Sequence, residues 1–364
     1  MRVALVHDYL NQRGGAERVF AHIANAYPEA PVYTSLFDPR TTGDLIAPER
    51  VRTSWLQQIP LGRRYFRFLA PLYPAVFESF DLSAYDVVVS STTAWAKGVH
   101  VRPDAVHVCY IHTVSRFVFD YDRYVGGFGA GGFARRVVRG LTNWDLRAAA
   151  RPTAYIANSH NVAARVRRYY GREAEVLPCP VDVDRFRVGS GSGDYAVVAS
   201  RLLPYKRIDL AIDACRLAGI PLKIIGSGPA EGELRRRAAG STTEFLGWLD
   251  DARVAQMIGE ARVVILPGEE DFGLVPLEAA ASGTPTIAYA AGGALETLVA
   301  GETGAFFAEP TPESLAMALS VFRRADFDPH RLRAHAQCFR PERFIERLRV
   351  LVEKISSDGT RNIK

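Results

Sequence analysis

Cysteine is scarce in this chain. Its four residues, Cys109, Cys179, Cys215 and Cys338, stand far apart in 364 positions and share no close spacing. That pattern argues against a disulfide framework and against a cysteine-based zinc site, and it fits a reduced, cytoplasmic setting. No apolar run reaches the eighteen or so residues that a membrane-spanning helix takes. The opening MRVALVHDYL also lacks the charged region, long apolar stretch and cleavage site of an export signal, so the expectation is a chain that neither crosses a membrane nor is exported. Internal repeats and low-complexity tracts are absent as well. Lysine is nearly missing: of 45 basic residues, 40 are arginine.

What is present suffices for two cores, because 364 residues that are 48% hydrophobic would make one domain of unusual size. The net charge of +5 is unevenly spread: residues 1–188 hold 24 basic and 17 acidic residues, and the remainder 21 and 23. The basic clusters are interleaved with aromatics, as in GRRYFRF (62–68), or with valine, as in RRVVR (135–139). Two readings stand side by side. Such clusters meet anionic lipid or a phosphate-bearing acceptor, or they are solvated helix faces in an arginine-rich chain.

Short apolar runs alternate with longer helical patterns. RVALVHDY, APVYTSLF, YDVVVSS, AVHVCYIH and AYIANS occupy the first half, and YAVVASR, LKIIGSG, TEFLGW, RVVILPG and TPTIAYA the second. Strands alternating with helices imply right-handed parallel units, hence an α/β fold with two open, doubly wound sheets. Pro178, Pro180 and the Gly/Ser stretch at 189–193 mark the seam. The expected domains are residues 1–184 and 185–340, with a terminal helix at 341–364 whose Phe344, Leu348 and Leu351 form one apolar stripe.

The most informative stretch runs from Pro267 to Gly293. The strand RVVIL leads into an acidic turn, then Phe272, Gly273 and Leu274, then a helix with Pro276 in its first turn, where a missing amide costs nothing. Open α/β sheets bind ligands at the carboxyl ends of their strands, and helix starts attract phosphate. Glu270 and Glu278 flank that start, which suits a hydroxyl-rich ligand, although acidic residues there also complement a helix dipole. A dinucleotide site with Asp38 on a ribose is ruled out because Gly14-Gly15 is not G-x-G-x-x-G.

The segment from Glu270 to Glu278, EDFGLVPLE, resembles the paired-glutamate motif of retaining glycosyltransferases of family 4. The resemblance covers nearly all of the chain, most strongly over 195–310. It implies the GT-B fold, two Rossmann-like domains facing across a cleft, with the terminal helix returning to the first. It places Glu278 on the nucleotide ribose, Glu270 near donor-sugar hydroxyls, and the backbone at Phe272, Gly273 and Leu274 against sugar or phosphate. ASRLLPYKRIDLAIDA (199–214) resembles the segment that grips the diphosphate, through Arg201 and Lys206. HDYLNQRGGAERVF resembles the N-terminal loop, with Gly14 and Gly15 near the phosphates or the acceptor, and CYIHTVSRF places His112 at a strand end against the donor sugar. Arg116 and Asp120 are the acceptor contacts suggested nearby. Leu246, Gly247 and Trp248 mark where the base would be read.

The family's chemistry would need no cofactor and no metal, which sets aside Asp182 and Asp184 as a metal-binding pair. The MRVALVHDYL and YIHTVSRFVFD segments look most like bacterial polysaccharide mannosyltransferases that use GDP-mannose, with UDP-sugars an open alternative. The implied acceptor is a polyprenyl-diphosphate-linked glycan at the inner membrane face, with no nucleic-acid partner. Rival readings are an epimerase or phosphorylase on the same fold, and a non-catalytic nucleotide-sugar-binding subunit. Four intact site residues argue against the second.

Overall fold

The structure, a computed structural model, describes residues 1–119 and 132–361. The chain divides into two compact units, one of residues 1–119, 132–180 and 342–361, the other of residues 181–341.

The first unit is built on seven strands: β1 (Val3–His7), β2 (Val32–Thr34), β3 (Val51–Thr53), β4 (Val87–Thr92), β5 (Val106–Ile111), β6 (Ala154–Ala157) and β7 (Ala174–Val176). They lie in the order β3-β2-β1-β4-β5-β6-β7, and every pairing is parallel. A parallel sheet carries helices on both faces, so its central strands read as continuous apolar runs. β4 and β5 are buried at every position. The helix Gly15–Ala26 packs Val19, Phe20, Ile23 and Ala24 inward at helical spacing. The helix His160–Tyr170 starts where the Ser159 side chain accepts from the amide of Val162 and stops at Gly171, whose φ of 63° favours glycine.

The terminal helix Pro341–Arg361 belongs to this first unit from residue 342. Its buried stripe is Phe344, Leu348 and Val352. Val352, not Leu351, is the third buried member, so the buried row follows i, i+4, i+8 and winds slowly round the helix; Leu351 is half-buried at its margin. The Phe344 ring meets the edge of Tyr110 with centroids 5.6 Å apart, and Arg349 Nε donates to the carbonyl of Ala26 at 2.8 Å.

The second unit holds β8 (Ala196–Ala199), β9 (Leu222–Ile225), β10 (Thr243–Gly247), β11 (Val263–Leu266), β12 (Thr286–Tyr289) and β13 (Gly304–Phe307). Their order is β10-β9-β8-β11-β12-β13, again all parallel. Numbered from its own first strand this is 3-2-1-4-5-6, the doubly wound order of nucleotide-binding folds. Its core joins Val198, Ile212, Ile224, Ile265 and Leu315 from strands and helices. In both sheets the strand order reverses at one place, between β1 and β4 and between β8 and β11. Loops diverge there and leave a crevice at the strands' carboxyl ends.

Candidate active site

In the second unit the loops after β8 and β11 meet at that reversal. After β8 the chain makes a tight turn, Pro204–Lys206, and leaves it through Arg207 at a φ of 52°. A side chain at positive φ is costly, and Arg207 is held there by an ion pair to Asp209 at 3.1 Å. The turn brings Lys206 Nζ into a hydrogen-bonded ion pair with Glu270 Oε1 from the loop after β11. Gly268 makes the approach possible, since a Cβ there would lie 2.7 Å from the carbonyl oxygen of Tyr205. Burial lowers the pKa of Lys206, but Glu270, aided by Tyr205, more than reverses this and leaves it above the usual lysine value. Lys206 is therefore a fixed positive charge, and each side chain of the pair keeps 16% of its surface exposed.

Glu270 is pinned from the other side, its carbonyl accepting from the amide of Gly293 at 2.8 Å. Three residues on, Gly273 caps the helix Leu274–Ala281 at a φ of 92°, a conformation that favours glycine, and the first-turn amides that follow have no carbonyl partners within the helix. The ring of Phe272 is buried against Phe339, centroids 6.2 Å apart, so this residue offers its backbone rather than its ring. Glu278 lies one turn into the helix and is half-buried. Arg201 is exposed near Lys206, whose pKa it lowers. Trp248, just past β10, is 73% exposed. Asp184 is paired with Arg340 and lies 3.9 Å from Arg333.

In the first unit Gly14 caps the helix Gly15–Ala26 with an ordinary φ of −121°. Its lack of a side chain serves packing: the carboxylate of Glu17 accepts from the Gly14 amide at 2.8 Å, and a Cβ would sit 2.7 Å from Oε2. His112 follows β5 directly and is buried, its Nε2 2.8 Å from Ser91 Oγ. Arg116 is buried at the start of a short helix. Asp120 lies outside the described residues.

Sequence reasoning passed over the residues that organise this end of the sheet. Asp8, buried just after β1, accepts from the hydroxyls of Thr92 and Thr93 and from the amides of Thr93, Ala94, Trp95 and Ala96, at 2.7–3.0 Å. Burial alone raises its pKa, yet His7 and these donors hold the carboxyl below the usual range. The available signal was the run of four hydroxyls, Ser90 to Thr93, closing an apolar strand. Side chains of that kind at a buried strand end need partners.

Two histidines here are kept neutral. Burial, helped by Arg151, pushes His107 down to about 3, and burial with His7, against Asp8, does the same to His112. The unfolded chain takes up these protons near pH 6.5, the folded chain only near 3. Between those values the unfolded state binds more protons, so stability falls as pH falls, by about 1 kcal/mol per histidine from pH 6.5 to 5.5. Urea unfolding followed by the fluorescence of the buried Trp95 and Trp144 should show a lower midpoint at pH 5.5 than at pH 7. An unmoved midpoint would mean these imidazoles titrate normally.

With this geometry in place, the comparisons are decisive for the family. Residues 13–185 match the model of Glycosyltransferase Family 4, and residues 182–337 match that of Glycosyl transferases group 1. The chain belongs to glycosyltransferase family 4. Its fold is the family's GT-B type. Among curated relatives, the D-inositol 3-phosphate glycosyltransferase of Geodermatophilus obscurus is 31% identical over 53% of this chain and 50% of its own length. The GDP-mannose-dependent alpha-(1-6)-phosphatidylinositol dimannoside mannosyltransferase of Mycobacterium tuberculosis is 35% identical over 34% of each chain. The chain thus spans half or less of these two relatives. In fold it is similar to Anabaena HepE, solved with UDP and glucose, at a TM-score of 0.72 with 20% identity over 97% of this chain and 100% of that one. Sucrose-phosphate synthase from Thermosynechococcus elongatus aligns at 0.73, with 19% identity over 98% and 100%. The Lys206–Glu270 pair, which joins the loops after β8 and β11, lies within the stretch that the Glycosyl transferases group 1 model matches.

Proposed function

We propose that this chain is a retaining, metal-independent hexosyltransferase that moves mannose from GDP-mannose to a lipid-linked glycan in polysaccharide or glycolipid assembly. The observation that carries the reading is the Lys206–Glu270 pair, set just before the helix start at Gly273 and Leu274. In this reading the diphosphate takes Lys206, Arg201 and the helix amides, while Glu278 holds the ribose and Glu270 the sugar. The acceptor hydroxyl attacks C1 on the face the diphosphate leaves, the C1–O bond to phosphate breaks, and the leaving phosphate oxygen takes the hydroxyl proton. No protein nucleophile is needed, and two side-chain cations with helix amides supply the charge stabilisation otherwise asked of a metal.

GDP-mannose is favoured because the mycobacterial relative is named for that donor, whereas HepE was solved with UDP and glucose. Thermal unfolding of the purified chain, with EDTA throughout, is the test. A ligand that binds only the folded state raises the midpoint by mass action. Selective stabilisation by GDP and GDP-mannose is the expected result. A UDP preference would replace the donor, and no response to any nucleotide would favour a non-catalytic role.

The acceptor is proposed to be presented at the cytoplasmic membrane face. No helix among the described residues is long and apolar enough to cross a membrane. Residues 50–77 instead hold five arginines and no acidic residue, and Leu61, Tyr65 and Phe68 are exposed among Arg63, Arg64 and Arg67. Apolar tips ringed by arginine suit an anionic bilayer surface. The chain should sediment with vesicles rich in anionic lipid at low salt, and Phe68→Ser with Leu61→Ser should abolish it. Equal binding to zwitterionic vesicles would count against this surface.

A further inference from the structure

In the second unit the chain after β12 lies directly on the loop that carries Glu270. β11 and β12 pair from Val264 with Thr286 to Leu266 with Ala288, and beyond the strands the same register resumes at Glu270 and Gly292. Gly293 follows, its amide donating to the Glu270 carbonyl at 2.8 Å. Its φ of −65° is open to any residue. Glycine is needed here for space: a Cβ would lie 2.5 Å from the carbonyl oxygen of Phe272 and 2.6 Å from that of Asp271. The two backbones therefore touch with no side chain between them.

Gly293 begins a helix of only four residues, Ala294–Thr297. A helix this short has no stability of its own, so its place is set by what holds its ends and its buried face. Ala294 and Leu298 pack on Leu266 and Ala288 of the sheet. Thr297 is buried, and its Oγ1 donates to the Gly293 carbonyl at 3.2 Å. The same oxygen borders Gly273, where a Cβ would lie 3.5 Å from it. The last carbonyls of a helix lack partners within it. His335 supplies one: its Nε2 lies 3.0 Å from the Thr297 carbonyl oxygen, and because a carbonyl only accepts, this nitrogen carries a proton and donates.

His335 sits in the helix Pro329–Gln337, anchored by the buried Leu332 and Ala336. Arg333, two residues earlier, donates at 2.7 Å to the carbonyl of Ala281, the last residue of the helix that Gly273 caps. One helix thus closes the carboxyl ends of the two helices that flank Gly273. The His335 ring also packs on Phe339, centroids 5.5 Å apart, and Phe339 in turn packs on Phe272. Two routes lead from His335 to the Glu270–Gly273 stretch: hydrogen bonds through Thr297 and Gly293 to Glu270, and ring contacts through Phe339 to Phe272.

We infer that His335 is a positioning residue for the sugar-diphosphate end of the donor site, holding the Glu270–Gly273 loop through Thr297 and Gly293 on one route and Phe339 on the other. This rests on the donor reading proposed above, in which Glu270 meets the sugar and the amides after Gly273 meet the diphosphate. Preorganised groups serve only as well as the backbone that aims them. Glu278, assigned to the ribose, lies beyond the stretch held in this way. The loss of His335 therefore falls on the sugar and diphosphate and spares the nucleoside.

The test measures, on the full chain, affinities for GDP-mannose and GMP by calorimetry, with UDP-glucose and UMP run alongside, and the amide hydrogen exchange of residues 270–275 without ligand. His335→Ala should weaken nucleotide-sugar binding about tenfold, the scale of one lost hydrogen bond. It should leave the monophosphate within about twofold and speed exchange over 270–275. His335→Gln, which keeps an N–H at a similar reach, should stay within about threefold of wild type. Gly293→Ala intrudes on the same loop directly; it should show the same selective loss, larger in size, and it decides the question should His335→Ala not fold. Gly304→Ala is the control for damage without displacement of the loop. Its Cβ would strike the Thr286 carbonyl at the opposite end of β12, so it should lower the unfolding midpoint and leave both affinities unchanged. Unchanged nucleotide-sugar affinity in either test variant, or an equal loss of nucleotide sugar and monophosphate, overturns the inference. A wild type that binds neither nucleotide sugar overturns the donor reading instead, and unchanged exchange in His335→Ala then overturns the positioning role as well.

Discussion

Lys206→Ala is expected to lower kcat by about a thousandfold, roughly 4 kcal/mol of transition-state stabilisation. As the sugar–phosphate bond breaks, negative charge gathers on the leaving diphosphate. Lys206 is the cation best held to meet it, only 16% exposed and with its charge secured by Glu270. The same pair raises an alternative, in which lysine merely neutralises a partly buried glutamate, so that its loss damages the loop and not the chemistry. The double variant Lys206→Ala with Glu270→Ala, measured against Glu270→Ala alone, separates the two. If neutralisation were the whole role, the double variant would turn over as fast as Glu270→Ala, because an unpaired buried charge is what destabilises. If the diphosphate is the true partner, the double variant stays at least a hundredfold below Glu270→Ala while its unfolding midpoint recovers toward that of the wild type. Wild-type kcat in Lys206→Ala would overturn the assignment.

The sequence was most readable where burial is complete. Runs such as YDVVVSS and AVHVCYIH lie over β4 and β5, buried on both faces, where a parallel sheet demands continuous apolar residues. The three strands passed over, β3, β7 and β13, all lie at sheet edges. β3 and β7 are three residues each, and neither contains a fully buried position. An edge strand this short is defined by its one neighbour, and the pairing leaves almost no trace in composition.

The candidate site divides along a similar line. Gly273, Pro276 and the two glutamates follow one another in a single stretch, so their local logic of strand, tight turn and helix start is visible in order. The Lys206–Glu270 pair joins residues 64 apart; the sequence named the two residues separately, and nothing in it showed that they pair. His7, Asp8 and Ser91 were missed because their chemistry exists only across strands. Asp8 and Thr92 are 84 positions apart, and nothing near Asp8 in the chain shows that its carboxylate will collect donors from a distant turn. Glu17 was passed over for a different reason. In GGAERV it reads as an acidic residue in a first helical turn, a common dipole complement, and only the fold shows it buried against the Gly14 amide.

Glu278→Ala is expected to weaken GDP and GDP-mannose binding alike, about 30- to 100-fold, with kcat at saturating donor within a few-fold of wild type. Vicinal ribose hydroxyls donating to one carboxylate make two charge-assisted hydrogen bonds, worth roughly 2–3 kcal/mol together where water is partly excluded. Glu278 is half-buried one turn inside the helix Leu274–Ala281, far enough from the helix start that dipole complementation is a weak explanation for it. The ribose is shared by nucleotide and nucleotide sugar and does not react, so its loss is uniform binding energy, which appears in affinity and not in kcat. Glu270, proposed at the sugar, should behave in the opposite sense, sparing GDP while impairing GDP-mannose. The assignment of Glu278 can be tested with a nucleotide that lacks the hydroxyls. Against the 2′,3′-dideoxy form of GDP, the wild type and Glu278→Ala should bind equally weakly, since each change already removes the contact the other would remove. Additive losses from the two changes would mean that Glu278 acts elsewhere, as a helix residue whose removal loosens the loop carrying Glu270.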